Sequence, residues 1–422
     1  MDKNTGHLPL FNKRAQYIID ALNFKEPEKV PVGLDYLQWP YIGSEKLLAD
    51  IVGDPEENAK NYCRVLEKIP MDYTMNSGGY EPYDAIAALG SEGYALHSDG
   101  FTVQQNQANH DFIDDQDYEV LISDYDYFVN EYYPKKVVPA FKLPKQEAYE
   151  RLKVAARCAA NNVKTSELIA KKVIFDYQIV PLALAGPPDV TVHTSSESDS
   201  SLEKKLVNYN APSPFYYASL DSLFDNYRGM MGVFEDLMEN IDTLDRAVNA
   251  ITESLMKHMP PMPAYDGHIL PTGFTVFHSA SYLDPEQFEK YWFKDFKQMF
   301  LPLAEQGARI FLKGEGSFMH LIERFKELPR GSVIIQLDQD DPFEAKKVIG
   351  NDQVICGGMQ TALLMIKDEK LCKERIKRCF EELAPGGGYL FYQDMPLLSP
   401  GDADPSFIEE MWYFANECSE RK

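Results

Sequence analysis

From Gly307 to Asp394 the chain repeats one pattern. The short apolar runs ARIFLKGEG, SVIIQLDQDD, QVICGG and GGYLFYQD are separated by FMHLIERFKELPRG, DPFEAKKVIGND and KDEKLCKERIKRCFEELAPG, whose apolar residues fall at helical spacing and which close on Gly or Pro-Gly. Apolar runs of this kind, each followed by a covering helix, predict parallel strands buried on both faces. Reactive groups in such folds collect at the carboxyl ends of the strands. Those ends here carry Lys313, Glu315, Asp338, Asp341, Cys356, Tyr392 and Asp394.

Upstream, VPVGLDY, MDYTMN, IVPLALA and FTVFHSA bring the strand candidates to eight, the number that closes a barrel of alternating strands and helices. A doubly wound open sheet is the competing architecture, but the glycine-rich phosphate fingerprint expected after an early strand is missing. The predicted fold class is therefore α/β: a (β/α)8 TIM barrel spanning 1–422 as one domain. An amphipathic KRAQYIIDALNF predicts an amino-terminal helical layer over 1–29. Asp99-Gly100, inside YALHSDGFTVQQ, predicts a hairpin inserted near the barrel mouth. Over 187–214 the composition shifts to Ser, Thr, Glu and Asn with paired prolines, which predicts a mobile loop or lid.

A chain of 422 residues with 44% apolar content can bury a large core without disulfides. Its formal charge of −24 argues against nucleic-acid and anionic-membrane partners, because the net field repels phosphate. Six scattered cysteines fit a reduced compartment, and no apolar run approaches the roughly 18 residues of a membrane span. The expected location is the cytoplasm.

Glu315 stands between two glycines just past a strand, where a carboxylate suits acid/base or ligand duty. Lys313, two residues earlier, projects to the same side and would pair with Glu315 or anchor substrate. Asp338 ends its strand and would orient a substrate or metal. His278 ends FTVFHSA with a near-neutral reference pKa, which suits proton transfer. Asp341 precedes Pro342 and reads as a helix cap. Cys356 reads first as a buried, inert thiol, and Cys372 and Cys379 as core. Asp35 and Tyr36 at the end of the first strand, with Tyr392 and Gln393 at the end of the last, are the expected substrate-binding residues.

The runs ALNFKEPEKVPVG, SLFDNYRGMMGVFEDLM and LDPEQFEKYWFKDFK, followed in order by KGEG, ELPRG, DPFEAKKVIG, ICGG and LAPGGGYLF, resemble the uroporphyrinogen decarboxylase superfamily. The similarity covers most of the chain and is weakest across 108–210. It implies an eight-stranded barrel, a homodimer, and one of two activities: tetrapyrrole decarboxylation or corrinoid-dependent methyl transfer. The decarboxylase proper would carry an arginine-rich segment after the first strand to bind carboxylates. This chain has LDYLQWPYIGSEK there, with no Arg. The resemblance thus implies a methyltransferase moving a methyl group between a small O-, N- or S-methyl compound and a corrinoid carried on a partner protein. Zinc enzymes of that branch use a His-x-Cys pair on the fifth strand and a later Cys. The matching positions here are Lys313 and Glu315, while the last strand ends in Tyr392, Gln393 and Asp394. A zinc site would therefore draw on Glu315, Cys356 and Asp394. Two alternatives stand beside this: a metal-free decarboxylase or lyase acting on a small carboxylate anchored by Lys313, Glu315 and Asp338, and a non-catalytic ligand-binding barrel.

Overall fold

The structure is a computed structural model that describes residues 8–75, 79–105, 113–182, 191–194, 205–208, 215–258 and 273–420. Six strands, β3 (Phe215–Tyr216), β4 (Gly273–Phe277), β5 (Ile310–Gly314), β6 (Val333–Gln336), β7 (Val354–Met359) and β8 (Tyr389–Gln393), pair in parallel and in chain order. Two shorter ones, β1 (Tyr73–Thr74) and β2 (Val180–Pro181), form a second parallel pair. Single bridges join the two sets, Val32 to Phe391 and Gly33 to Tyr73. Read around the ring, β3 to β8 are followed by the segment at Val32–Gly33, then β1 and β2.

This is the α/β barrel fold that the sequence predicts, and each of the eight anticipated runs contributes a strand or a bridged segment. The sequence reading missed β3, a short ninth strand that pairs with β4 only at Phe215–Phe274 and Tyr216–Thr275. A ladder of two residues leaves no periodicity to detect. Residues 183–190, which follow β2, lie outside the described residues.

Alternation explains why the strands read as continuously apolar. Phe311, Ile334, Val354, Cys356, Leu390, Tyr392 and Tyr73 turn inward and pack together. Their neighbours Leu312, Val333, Ile335, Ile355 and Phe391 turn outward into the helical layer, against groups such as Phe325, Ile376 and Trp412. Helix α1 (Pro9–Leu22) joins the inner cluster through Phe11, Ala15, Ile18 and Leu22, so it plugs the amino end of the barrel. The triple glycine after Pro385 fits this plug. Gly388 donates its N–H to Ala21 O at 2.8 Å with φ near +68°, and a Cβ there would lie 2.5 Å from the Phe24 ring.

Four helices begin at an Asp-Pro pair: Pro55–Leu66, Pro285–Phe288, Pro342–Ile349 and Pro405–Ser419. In each, the aspartate side chain accepts a backbone N–H of the first turn and the proline sits where no N–H is needed. The reading of Asp341 as a cap is thus correct. Near the amino end, Lys29 Nζ donates to both oxygens of buried Asp72 at 2.8 and 2.7 Å, and Arg14 Nε lies 3.3 Å from the same carboxylate. Asp72 also accepts the N–H of Val32 at 3.0 Å, which fixes the first stave against β1.

The hairpin at Asp99-Gly100 is present, with Tyr94–Leu96 antiparallel to Val103–Gln105. It follows β1, on the carboxyl side of the barrel. Part of the segment 187–214, expected to be a mobile loop or lid, is described. Thr191–Thr194 and Lys205–Asn208 form an antiparallel ribbon with Val192 opposite Val207. The remainder of that segment lies outside the described residues, as does any test of a lid. No helix among the described residues is long and apolar enough to cross a membrane.

Phe11 is fully buried at the barrel floor, whereas its neighbour Leu10 is 43% exposed. Phe11→Ala is expected to lower unfolding free energy by about 3–5 kcal/mol through the cavity it leaves. Leu10→Ala is expected to stay within about 0.5 kcal/mol. Denaturant titration of both variants checks the plug.

Candidate functional site

The carboxyl ends of β4, β5, β6 and β8 gather ionisable side chains into one mouth. β4 delivers His278 by alternation, since Phe277 before it is committed to the outer layer among Phe288, Trp292 and Phe318. His278 Nδ1 lies 2.8 Å from Asp225 Oδ1, and its Nε2 lies 3.7 Å from Glu315 Oε2. The first is a hydrogen bond. The second is an ion-pair separation that leaves Nε2 open to another group. The side chains of His278 and Glu315 are 29% and 37% exposed, so both face the opening. Edge-on contact with Phe224, ring centroids 5.0 Å apart, fixes the imidazole plane.

Asp225 comes from the segment after β3, where helix Ser219–Ser222 continues into a wide π-type turn over Leu223–Tyr227. Such turns re-aim side chains and recur at functional sites. Tyr217 donates its hydroxyl to Asp225 Oδ2. One helical turn back, the fully buried Asp221 accepts the N–H of Ser279 at 2.7 Å and Trp292 Nε1 at 3.0 Å, which pins the peptide next to His278. Burial pushes the Asp221 carboxyl up to about 6, its hydrogen bonds to Ser279 and Trp292 holding it back and Asp225 adding to the rise. Burial pulls His278 down. The hydrogen bond and charge of Asp225, with Glu315 and Asp221 behind it, more than offset that, and the imidazole titrates above its ordinary 6.5.

Deeper in the barrel, β5 places Lys313 in register with Gln336 of β6, which in turn pairs with Cys356 of β7. Burial raises the Asp35 carboxyl, countered by the charge of Lys313 and a hydrogen bond from Tyr392. Asp338 accepts the Gly316 N–H at 2.8 Å. Its carboxyl is also raised, first by burial and then by Asp394 and Glu315, against Lys313 and that hydrogen bond.

The expected Lys313–Glu315 pair is therefore not what forms. Lys313 answers Asp35 and Asp338, while Glu315 turns to His278. Three of the four expected substrate-binding residues take structural positions. Tyr36 belongs to the outer core, its ring 6.3 Å from Tyr62. Gln393, fully buried, spends its amide on the backbone of Asp35, with contacts of 3.1 and 2.6 Å. Tyr392 stacks on Tyr73 at 5.4 Å and accepts the Met75 N–H at 3.3 Å. Asp35 alone of the four joins the mouth's charged network.

The residues do not fit the zinc expectation. Among the described residues no group of three or more His, Cys, Asp and Glu is placed to hold a metal ion. Cys356 is buried 3.6 Å from the Tyr73 hydroxyl, with its thiol pushed up by burial. Asp394 Oδ1 is occupied by the N–H groups of Thr361 and Met395 at 2.9 and 2.8 Å. Glu315, Cys356 and Asp394 serve three different neighbourhoods.

Sequence reasoning missed Asp225, Asp221 and Tyr217. A signal existed: two aspartates four apart in SLDSLFDNY share one helix face just after a Tyr-Tyr pair.

Fold and site together give an α/β barrel with a cluster of ionisable side chains at its carboxyl mouth. Residues 213–393, which carry that cluster, match the family described as Uroporphyrinogen decarboxylase (URO-D). The resemblance read from the sequence to that superfamily stands over this region. No curated protein matches the chain. Among solved structures, a methyltransferase from Methanosarcina mazei is similar at a TM-score of 0.54, covering 96% of this chain and 98% of that one at 12% identity. At that identity the likeness is one of fold.

Replacing Asp225 by Asn removes the hydrogen-bonded charge that raises His278, so the His278 pKa is expected to fall, as read by NMR titration of its ring protons. A raised histidine contributes stability below its unfolded pKa and loses it as pH climbs through the folded value. The stability gap between wild type and Asp225→Asn is thus expected to be wider at pH 5.5 than at pH 8. An unchanged His278 titration would remove Asp225 as its partner.

Proposed function

We propose that the protein is a methyltransferase moving a methyl group between a small O-, N- or S-methyl compound and a corrinoid carried on a partner protein. The observation that carries this reading is His278, held between Asp225 and Glu315 at an open barrel mouth with its pKa raised. When a methyl group departs from oxygen, nitrogen or sulfur, the bond's electron pair stays on that heteroatom. A positioned acid that delivers a proton to it lowers the barrier. His278 Nε2 is the atom to give that proton, Asp225 stabilises the imidazolium that precedes it, and Glu315 returns a proton from solvent. The corrinoid, when its carrier docks, supplies the nucleophile that accepts the methyl group. What the chain must offer it is an accessible mouth, and the exposure of His278 and Glu315 fits that demand.

The family match and the fold likeness support the same reading. A substrate bearing several carboxylates suits this mouth poorly, since Glu315, Asp338 and Asp394 face it with His278 beside Glu315 and the charge of Lys313 bearing on Asp338. That weighs against the decarboxylase alternative.

The test is methyl transfer to reduced cobalamin or a corrinoid protein from a panel of methylated donors. His278→Gln is expected to slow turnover by about 10²-fold or more, the usual worth of a positioned general acid. The rate should fall as pH rises through the raised His278 pKa, because the acid form is required. Full activity in His278→Gln would remove the proton-donor role, and absence of transfer with every donor would remove the reaction.

A further inference from the structure

The charges at the mouth are unequal, and the imbalance specifies a ligand. Lys313 answers the buried Asp35 and the half-buried Asp338. Beyond that, the described residues give Asp338 only the Gly316 N–H and Asp394 only the N–H groups of Thr361 and Met395. Glu315 has His278 at 3.7 Å, already committed at its other nitrogen to Asp225. Carboxylates outnumber cations here, and the Asp338 carboxyl is raised, first by burial and then by Asp394 and Glu315.

A second observation is independent of charge. Gln336 is 1% exposed and occupies the inward strand position between Ile334 and Asp338. Its Nε2 donates to Gln393 O at 3.2 Å and Asp394 O at 3.1 Å. Its Oε1 is buried and has no hydrogen-bond partner among the described residues. A buried acceptor left unmade asks for a donor. On the His278 side the wall is aromatic: Phe224 stacks on Tyr282 at 5.9 Å and Phe234 meets Tyr282 at 5.4 Å, with Tyr282 54% exposed. Aromatic faces attract cations and tolerate methyl groups.

An excess of carboxylates, an orphaned acceptor and an aromatic wall ask for one chemistry. We infer that the mouth binds an organic cation that still carries an N–H, a protonated N-methylated amine. The N–H satisfies a carboxylate or Gln336 Oε1, the positive charge offsets the surplus of carboxylates around the mouth, and the methyl groups lie along the aromatic wall. A metal ion is disfavoured because these oxygen donors are not gathered around one point. The chain's charge of −24 also draws cations toward the mouth. With a protonated amine as donor the electron pair of the broken C–N bond stays on a neutral amine, which then takes the His278 proton as it is released; that the amine is the donor rests on the methyl-transfer reading above, its binding does not.

The test is isothermal titration of the full chain at constant ionic strength. The probes are trimethylammonium, its quaternary analogue tetramethylammonium, the neutral isostere tert-butanol, the anion trimethylacetate, and calcium. Trimethylammonium is expected to bind at least about tenfold more tightly than each of the others, a difference of about 1.4 kcal/mol. Asp338→Asn keeps an oxygen for the Gly316 N–H, so it should fold, and it is expected to weaken trimethylammonium about tenfold or more. Glu374→Gln, on an outer helix, should leave binding unchanged. Equal or tighter binding of trimethylacetate, tert-butanol or calcium overturns the inference, as does no binding of any probe or an unaltered affinity in Asp338→Asn. Parity of tetramethylammonium with trimethylammonium overturns its N–H requirement. Selective amine binding without methyl transfer would sink the reaction and leave the ligand class standing. Transfer from ethers with no competition by amines would do the reverse.

Discussion

The buried amide of Gln393 extends the seam between the last stave and the first. Backbone hydrogen bonds join the first stave to β8 at Pro31 and Gly33 and to β1 at Val32 and Leu34. Gln393 carries that pairing further with its side chain, accepting the Asp35 N–H and donating to the Asp35 carbonyl. Gln336 then reaches across β7 to the carbonyls of Gln393 and Asp394, and so ties three staves together at one level. Two neutral amides do this without bringing a charge into the core, where an unpaired one would be costly. Because Asp35 is fixed by its backbone, its carboxylate is free to meet Lys313 and Tyr392, and the mouth's electrostatics follow from that placement.

The two ends of the barrel treat charge in opposite ways. At the amino end, Asp72 is matched by Lys29, Arg14 and a backbone donor, and α1 seals the floor. The charges there are consumed in holding the structure. At the carboxyl end, Glu315 has only His278 at 3.7 Å, Asp338 and Asp394 accept backbone N–H groups, and Asp221 lies buried with neutral donors only. A polar group kept partly unsatisfied in a low-dielectric setting is costly for folding and useful for binding. The opposition places function at the mouth on physical grounds, independent of any likeness to other proteins.

Much of the scaffold was legible. Strands buried on both faces betray themselves as unbroken apolar runs, and SVIIQLD, QVICGG and GGYLFYQ folded as read. Asp-Pro pairs announced helix starts, and Asp99-Gly100 announced a hairpin. The site was legible only in part. His278, Glu315, Asp338 and Lys313 could be placed at strand ends, because position along a strand fixes which end a residue occupies. What sequence could not give was partnership across strands. Lys313 and Glu315 lie two apart on paper and answer different groups in space. Tyr36 and Gln393 look like substrate contacts at strand ends, yet one faces the helical layer and the other closes the seam. Asp225 lies fifty-odd residues before His278, beyond any local pattern.

The seam also divides the site by mechanical support. Lys313, Gln336, Asp338 and Asp394 belong to β5, β6 and β8 or follow them directly, within a stretch of sheet whose ladders run three to five residues deep. Asp225 and Tyr217 hang instead from β3, which holds the ring by two residues at the far edge of that sheet. The groups proposed to read a ligand's charge are thus mounted on the more extensively paired strands, and those proposed to govern the histidine's proton on the least paired one. Substitutions around 215–228 could retune proton delivery while recognition stayed as it is, which gives this barrel a way to change reaction without changing the charge class of its ligand.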